Sequence, residues 1–461
     1  MTQEKQRILL NYDALSSHGQ VKTRKAALEI TEAAIRRAIP YSETLKLVSR
    51  TEDAILIGER RIPLADIDHI YVVGVGKGAF PIAQALEEKL GDAITEGVVL
   101  IKKGDTRRLE RIEMIESGHP LPDEAGIEGA KKILAILEKA GERDLIFAPI
   151  TGGSSAMMNL PCGRITLDEL KWMNDMLLKS GASIGKMNTV RKHLCRMKGG
   201  RFVEYAKPAE IHTLTLDTAP PDMPWPDLSL ADPTTFQDAV DMLKQYGIWD
   251  AAPESVREYL LEGVEHPELE TPKVLTNPRA FIHSVADPKS TCLAAAERAQ
   301  ELGYTPHILC TAMEGDAMNL GIFFAGLANE VSKTGRPFTP PCALISAGET
   351  TVTIHGECGN GGPNQETALG FSTKLYAQSE AVCLSIDSDG TDGPCEIAGG
   401  ISDGLTAQRA KEMGINISAV LGKHDASSAL LALDDALITG HTGTNVMNFR
   451  VVVIDGKERI D

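Results

Sequence analysis

Ile70-Tyr71-Val72-Val73-Gly74-Val75-Gly76-Lys77-Gly78-Ala79-Phe80 is the stretch that decides the fold. It opens as a buried strand, ends in three glycines around a lysine, and runs into an apolar helix, AFPIAQALEEKL. Glycine lets a backbone approach a ligand closely. A helix start offers N–H groups and the positive end of a dipole. Lys77 adds a point charge where a phosphate or carboxylate can sit. The pattern is not a P-loop, which needs four residues between glycines and a G-K-[ST] ending. It also lacks the last glycine of the dinucleotide fingerprint, because position 79 is Ala. A tight strand-to-helix turn with a solvated lysine explains the stretch equally well.

Working outward, strands and helices alternate. Ala26, Ile30, Ala33, Ala34 and Ile35 fall at helical spacing within residues 1–50. After the lysine loop come a strand (GVVLIKK), a helix (AGIEGAKKILAILEKA) and a strand (LIFAPI, 145–150). A polar helix is expected around 167–182, a basic stretch over 186–201, and a strand at 212–216 before a Pro-rich loop. Residues 250–275 are acidic, bounded by Pro, and read as a connector. The alternation then resumes with strands at 305–310, 343–348 and 381–387. Strands alternating with helices predict βαβ units and a parallel sheet, hence the α/β class. Two α/β domains, residues 1–265 and 266–461, are expected.

Composition sets the outer bounds. The chain has 461 residues, 47 basic and 64 acidic, for a net charge of −17. That balance argues against a nucleic-acid backbone binder, which needs clustered cations. No apolar run reaches the roughly 18 residues of a spanning helix, so no membrane partner is expected. The N-terminus shows no secretory pattern. The eight cysteines are scattered singly, as in a reduced, cytoplasmic protein. The expected partner is a small anionic molecule, and homo-oligomerisation stays open.

Three further segments carry candidate chemistry. Thr151-Gly152-Gly153-Ser154-Ser155 follows a strand, where glycines and hydroxyls form an anion cradle. The bland reading is a helix start capped by Ser154. Asn188 to Arg201 is rich in Lys and Arg inside an acidic protein, with 191, 194 and 198 on one helical face. It would steer an anion, or merely form a solvated face. In the second half, Gly348-Glu349, Asn364 at a helix start, and Asp387-Ser388-Asp389-Gly390-Thr391-Asp392 are loops suited to a ribose or a divalent metal. Turn chemistry is the alternative for each. A calcium loop is excluded, because the twelfth position from Asp387 is Ala398 rather than Glu. His355 reads as a strand-end residue rather than a metal ligand.

The order of these motifs is more specific than any one of them. VVGVGKGAF, ESGHPLPDEAG, TGGSSAM, NTVRKHLCRMKGGR, ISAGETTVTI, GGPNQETAL, DGTDGPCEIAGG and GHTGTNV together resemble the MOFRL-type glycerate 2-kinase family, whose older label is hydroxypyruvate reductase. The resemblance runs over roughly residues 20–455. It implies an N-terminal Rossmann-like domain with a parallel sheet, a smaller C-terminal mixed α/β/α domain of MOFRL type, and an active site in the cleft between them. It implies transfer of the γ-phosphoryl of ATP, with Mg²⁺, to the 2-hydroxyl of D-glycerate or a related short acid. Lys77 and Arg191 match the family's catalytic positions, and Gly152, Gly153, Ser154, Ser155 and Asn188 its substrate side. Gly76, Gly348, Glu349, Asn364, Asp389, Asp392 and Asn445 match positions facing the nucleotide. Asp222 and Asp389 match the metal side.

The chain departs from the family at its loops. A family arginine in G-G-R-N-Q-E is Pro363 here, Thr218 replaces an aspartate, and the S-G-P-T loop shrinks to Ser229-Leu230-Ala231-Asp232. Loss of a charge clamp can cost several powers of ten in rate. The alternative is therefore a non-kinase enzyme on the same scaffold, moving protons on a small hydroxy or oxo acid with Lys77 and His193 as acid and base. A binding protein without turnover is a third reading. A nicotinamide-dependent reductase is disfavoured by the missing fingerprint.

Overall fold

The structure, a computed structural model, describes residues 7–217, 228–354 and 356–455. They form two compact units. One spans Pro40–Val285 and the other combines the chain up to Ile39 with the chain from Ala286 on. This spatial division differs from a cut at residue 265 in two places. Residues 266–285 stay with the first unit, and the N-terminal segment packs with the second.

The first unit is built on a six-stranded sheet. From edge to edge its strands are Glu113–Ser117, Ile94–Lys102, Ile70–Val75, Leu145–Ile150, Glu210–Leu216 and Ala280–Ala286. The four pairings from Glu113–Ser117 to Glu210–Leu216 are parallel. Ile70–Val75, Leu145–Ile150 and Glu210–Leu216 are buried at every residue, and the first two accordingly read as continuous apolar runs rather than alternating ones. The first strand of this sheet lies inside it. The next two are added on one side and the rest on the other. The reversal falls between Ile70–Val75 and Leu145–Ile150, and ligands of doubly wound sheets bind outside the strand ends at such a point.

Helix starts follow local chemistry. Asp123 accepts the N–H of Gly126 at the head of Glu124–Lys139. Thr166 and Glu169 form a capping box before Leu167–Lys179. That helix, with Ile184–His193, Phe236–Gln245 and Glu254–Glu265, buries Leu170, Met173, Val190, Phe236, Val240 and Leu260 together. The acidic stretch expected as a connector thus contains a packed helix, anchored by Val256 and Leu260. A three-stranded sheet of Val48–Arg50, Ala54–Ile57 and Arg60–Pro63 and the edge strands Glu113–Ser117 and Ala280–Ala286 also went unread. Their runs are short or polar, where the periodic signal is weak.

The second unit carries a mixed sheet ordered Thr305–Cys310, Cys342–Gly348, Asn448–Ile454, Ala381–Asp387, Gly399–Asp403 and Ala436–Leu437. Only its first pair is parallel. Helices Val21–Ala38 and Pro288–Glu301 bury Ala27, Leu28, Ile30 and Ala295 with Ala343, Ile345, Val451 and Val453. Phe324 and Ala325 of Ala317–Thr334 and Phe371 of Pro363–Lys374 pack with Leu344, Val452 and Ile454, the residues of opposite parity. The result is the expected α/β/α sandwich. No helix among the described residues is long and apolar enough to cross a membrane.

A buried ionic knot fixes the N-terminal segment to this unit. Arg24 is fully buried and bonds Asp403 and, at 2.8 Å, Asp435. His18 meets Asp435 at 2.9 Å. Arg24→Met would leave buried Asp403 without its guanidinium and Asp435 with only Arg409 and His18, at a cost of about 3–5 kcal/mol. Urea unfolding followed by circular dichroism is expected to show the transition of this unit at a clearly lower midpoint. An unchanged midpoint would show that the knot does not secure the segment.

Candidate active site at the sheet reversal

The two loops at the reversal are stitched together. Thr151 N–H donates to Val75 O at 3.0 Å, and Lys77 N–H to Gly152 O at 2.9 Å. Gly78 N–H donates to the Thr151 hydroxyl at 2.9 Å. Gly76 has φ +137°, and a Cβ there would overlap Thr151 Oγ1. Gly76 therefore serves a close approach of two backbones. The N–H groups of Lys77 and Gly78 are consumed by the stitch, contrary to the expectation that they cradle a ligand. What this loop offers outward is the half-buried Lys77 side chain.

The Thr151–Ser155 turn lies alongside. Gly153 sits at φ +88° and takes the cap position before a single turn, Ser154–Met157. Ser154 is thus the first helical residue, not the cap. The hydroxyls of Ser154 and Ser155 are buried and make no hydrogen bond among the described residues. A buried hydroxyl without a partner costs about 1–3 kcal/mol, so two side by side suit a polar ligand.

The basic segment divides into structural and outward-facing cations. The helix ends at His193, so 191, 194 and 198 do not share one helical face. Lys198 is fully buried, donating to Met158 O and, at 2.7 Å, Asn159 Oδ1. Lys192 meets Asp232 at 3.4 Å, and Arg201 donates to backbone carbonyls of Lys192, Cys195 and Leu269. His193 is fully buried with both ring nitrogens engaged, by Thr189 O at 2.7 Å and Glu270 at 2.8 Å. It has no nitrogen left for the acid–base role considered for it. Arg191 remains half-buried, with Nε donating to Asn174 Oδ1 at 2.8 Å and a longer contact to Asn188. Asn188 and Arg191 thus stand together on Ile184–His193. The shortened loop is also absorbed into the fold: Ser229 bonds Thr213, and Asp232 takes Thr234 and Thr271.

In the second unit the expected residues gather at strand ends. Gly348 closes Cys342–Gly348, next to exposed Glu349. Asp387 Oδ1 accepts Asp389 N–H, and Asp389 Oδ1 accepts Thr391 N–H and hydroxyl. Asp392 is buried and accepts the N–H groups of Asn364 at 3.1 Å and Gln365 at 2.9 Å. It caps the helix that Pro363 opens, a use the sequence did not reveal. Thr442 N–H reaches Asp389 O at 3.4 Å, which brings the Thr442–Asn445 turn beside the aspartate loop. Burial, then the charge of Asp389, pushes Asp387 well above the usual carboxylate range. Arg450, fully buried in Asn448–Ile454, donates to Thr350 and Gly348 O. Burial pushes its guanidinium down to about 10, against the pull of Glu349 and the aspartates.

Among the described residues no group of three or more His, Cys, Asp or Glu is placed to hold a metal ion. Asp222, Thr218 and His355 lie outside the described residues. His119 carried no assignment, yet its ring stands against Gly153 next to Lys77. The signal was its place in ESGHPLPDEAG, which composition alone does not distinguish from a turn.

Fold and site define a two-unit α/β protein with Lys77 and the Thr151–Ser155 turn side by side at the sheet reversal. A profile described as a domain of unknown function, DUF4147, matches residues 26–261, and one described as the MOFRL family matches 342–448. Glycerate 2-kinase of Pyrococcus horikoshii is 40% identical over 437 residues, covering 94% of this chain and 98% of that protein. D-glycerate 2-kinase of Thermotoga maritima is 36% identical, with coverages of 94% and 98%. Among solved structures, a Pyrococcus horikoshii protein superposes with a TM-score of 0.82 at 39% identity, covering 94% of this chain and 99% of that one. Glycerate kinase from Thermotoga maritima gives 0.81 at 35%, with coverages of 92% and 98%. The chain belongs to the MOFRL-type glycerate 2-kinase family.

Glu270, whose bond to His193 seats the end of the Arg191 helix, titrates at low pH. Burial alone would raise Glu270, but hydrogen bonds from His193, Thr271 and Phe236 hold it down to about 2. A depressed carboxyl contributes stability above its unfolded value of about 4.3 and loses it as pH falls through the folded value. Glu270→Gln is therefore expected to be less stable than the parent at pH 7. The gap should close between about pH 4 and pH 2. A gap independent of pH in thermal denaturation would contradict this assignment.

Proposed function

We propose that the protein is a glycerate 2-kinase, transferring the γ-phosphoryl of ATP to the 2-hydroxyl of D-glycerate or a close short-chain acid. The observation that carries this is the cradle itself: Lys77 held by the Thr151 stitch beside two orphaned hydroxyls, in a chain 40% identical to a glycerate 2-kinase. Phosphoryl transfer asks for positioning and positive charge more than for covalent chemistry. The Lys77 ammonium supplies the charge, and Ser154 and Ser155 supply donors for the acid. Asn188 and Arg191 add a carboxylate grip, since a guanidinium can bind a carboxylate through two nitrogens.

For the nucleotide, we assign the loops Gly348–Glu349, Asn364, Asp389–Asp392 and Asn445. A magnesium ion carried by nucleotide phosphates needs only one or two protein carboxylates, and Glu349 and Asp389 fit that demand. The ion would neutralise phosphate charge. Asp392 acts there by fixing the Asn364 helix start rather than by touching ligand. The buried seat of His193 weighs against the proton-transfer alternative, which needed it as acid or base. We assign the protein to the cytoplasm, on its eight unpaired cysteines.

The test is ADP release from ATP and Mg²⁺ over a panel of short hydroxy acids including D-glycerate. Turnover is expected with D-glycerate or a near relative. Lys77→Ala should lose about a hundredfold or more in turnover, the scale of removing one preorganised charge donor, with an unchanged melting temperature. Undiminished phosphorylation in that variant would remove the lysine from the mechanism, and silence of the parent across the panel would overturn the kinase reading.

A further inference from the structure

His119 reaches the cradle by a loop fixed at both ends. The strand Glu113–Ser117 ends in a buried serine whose Oγ donates to Met157 O at 2.7 Å. This ties the start of the loop to the Ser154–Met157 turn. Six residues on, Asp123 caps Glu124–Lys139 by accepting Gly126 N–H at 2.9 Å. Between these anchors the imidazole lies against Gly153. A methyl group on Gly153 would sit 3.2 Å from His119 Cδ2 and 3.2 Å from Lys77 Cγ. The imidazole and the lysine stem therefore flank one glycine, where a side chain would be crowded by both and strained by the positive φ. The next two residues bear the orphaned hydroxyls.

We propose that His119 is a substrate-contacting residue that hydrogen-bonds the hydroxy acid beside Lys77 and so favours a hydroxylated anion. This rests on the kinase reading and adds a residue to its acid side. A short hydroxy acid presents one carboxylate and one or two hydroxyls, each both donor and acceptor. One ammonium, two serine hydroxyls and one imidazole nitrogen match that set, because a ring nitrogen donates or accepts according to the tautomer. Lys77 alone would bind any small anion. An acceptor nitrogen of the ring adds a partner that a hydroxyl can use and a carboxylate cannot, and a site built for a hydroxyl discriminates against analogues lacking it.

The experiment compares the full-length parent with His119→Leu and His119→Asn. D-glycerate affinity is read by calorimetry, and KM for acid and for ATP by ADP release. Both variants are expected to weaken D-glycerate by about tenfold or more in Kd and KM, while KM for ATP stays within about twofold. The shorter, polar Asn variant decides the matter if the Leu variant does not fold. Parent-like acid affinity in a folded variant overturns the contact, and so does an equal rise in KM for both substrates. A parent that neither binds nor phosphorylates the acid fails the kinase reading itself, a result separable from failure of this contact alone.

Discussion

A single hydrogen bond, from Gly78 N–H to the Thr151 hydroxyl, ties the two loops on which the candidate site depends. It joins the loop after the first sheet strand to the turn after the fourth. These parallel strands are neighbours because the order of strand addition switches to the other side of Ile70–Val75 at this point. With Lys77 N–H on Gly152 O, the bond turns two loops remote in sequence into one rigid edge. A methyl group at Gly76 would collide with Thr151, so the spacing of glycines around the lysine is set by packing. The lysine stem is thereby left flanking Gly153, next to two buried hydroxyls without a partner among the described residues.

The same economy governs the charged segments. A protein with net charge −17 keeps a run of cations near residue 195, yet spends several of them inside its own fold. Lys198 is capped by a carbonyl and an amide, and Lys192 by Asp232. Arg191 is left half-buried on its helix, held by Asn174 and Asn188. In the second unit, Asp392 is used up in capping the helix that begins at Pro363. Proline suits a first helical position, since its fixed φ is already helical and its missing N–H would find no partner there. The departure at 363 thus preserves the helix start while removing a charge.

Much of this was legible in the sequence, for physical reasons. Ile70–Val75 and Leu145–Ile150 are apolar on both faces, so strand and burial were read together. The glycines and serines at their ends pointed to the two loops that the Thr151 hydrogen bonds join. The use of each residue was less legible, because it depends on long-range partners. Nothing local shows that His193 faces Glu270, seventy-seven residues on, or that Asp392 caps a helix twenty-eight residues earlier. The placement of residues 7–39 was hidden for the same reason. An amphipathic helix shows that it has an apolar face, and only Arg24 meeting Asp403 and Asp435 shows which unit that face covers.

Phosphorus NMR of the product from ATP, Mg²⁺ and D-glycerate tests the central claim most directly. Phosphate on the 2-hydroxyl sits on a carbon bearing one hydrogen, so the new ester resonance is predicted to be a doublet. A triplet would place the phosphate on the terminal carbon and contradict the orientation proposed for the acid. No ester resonance from a folded protein, with any short hydroxy acid, would contradict the kinase account as a whole.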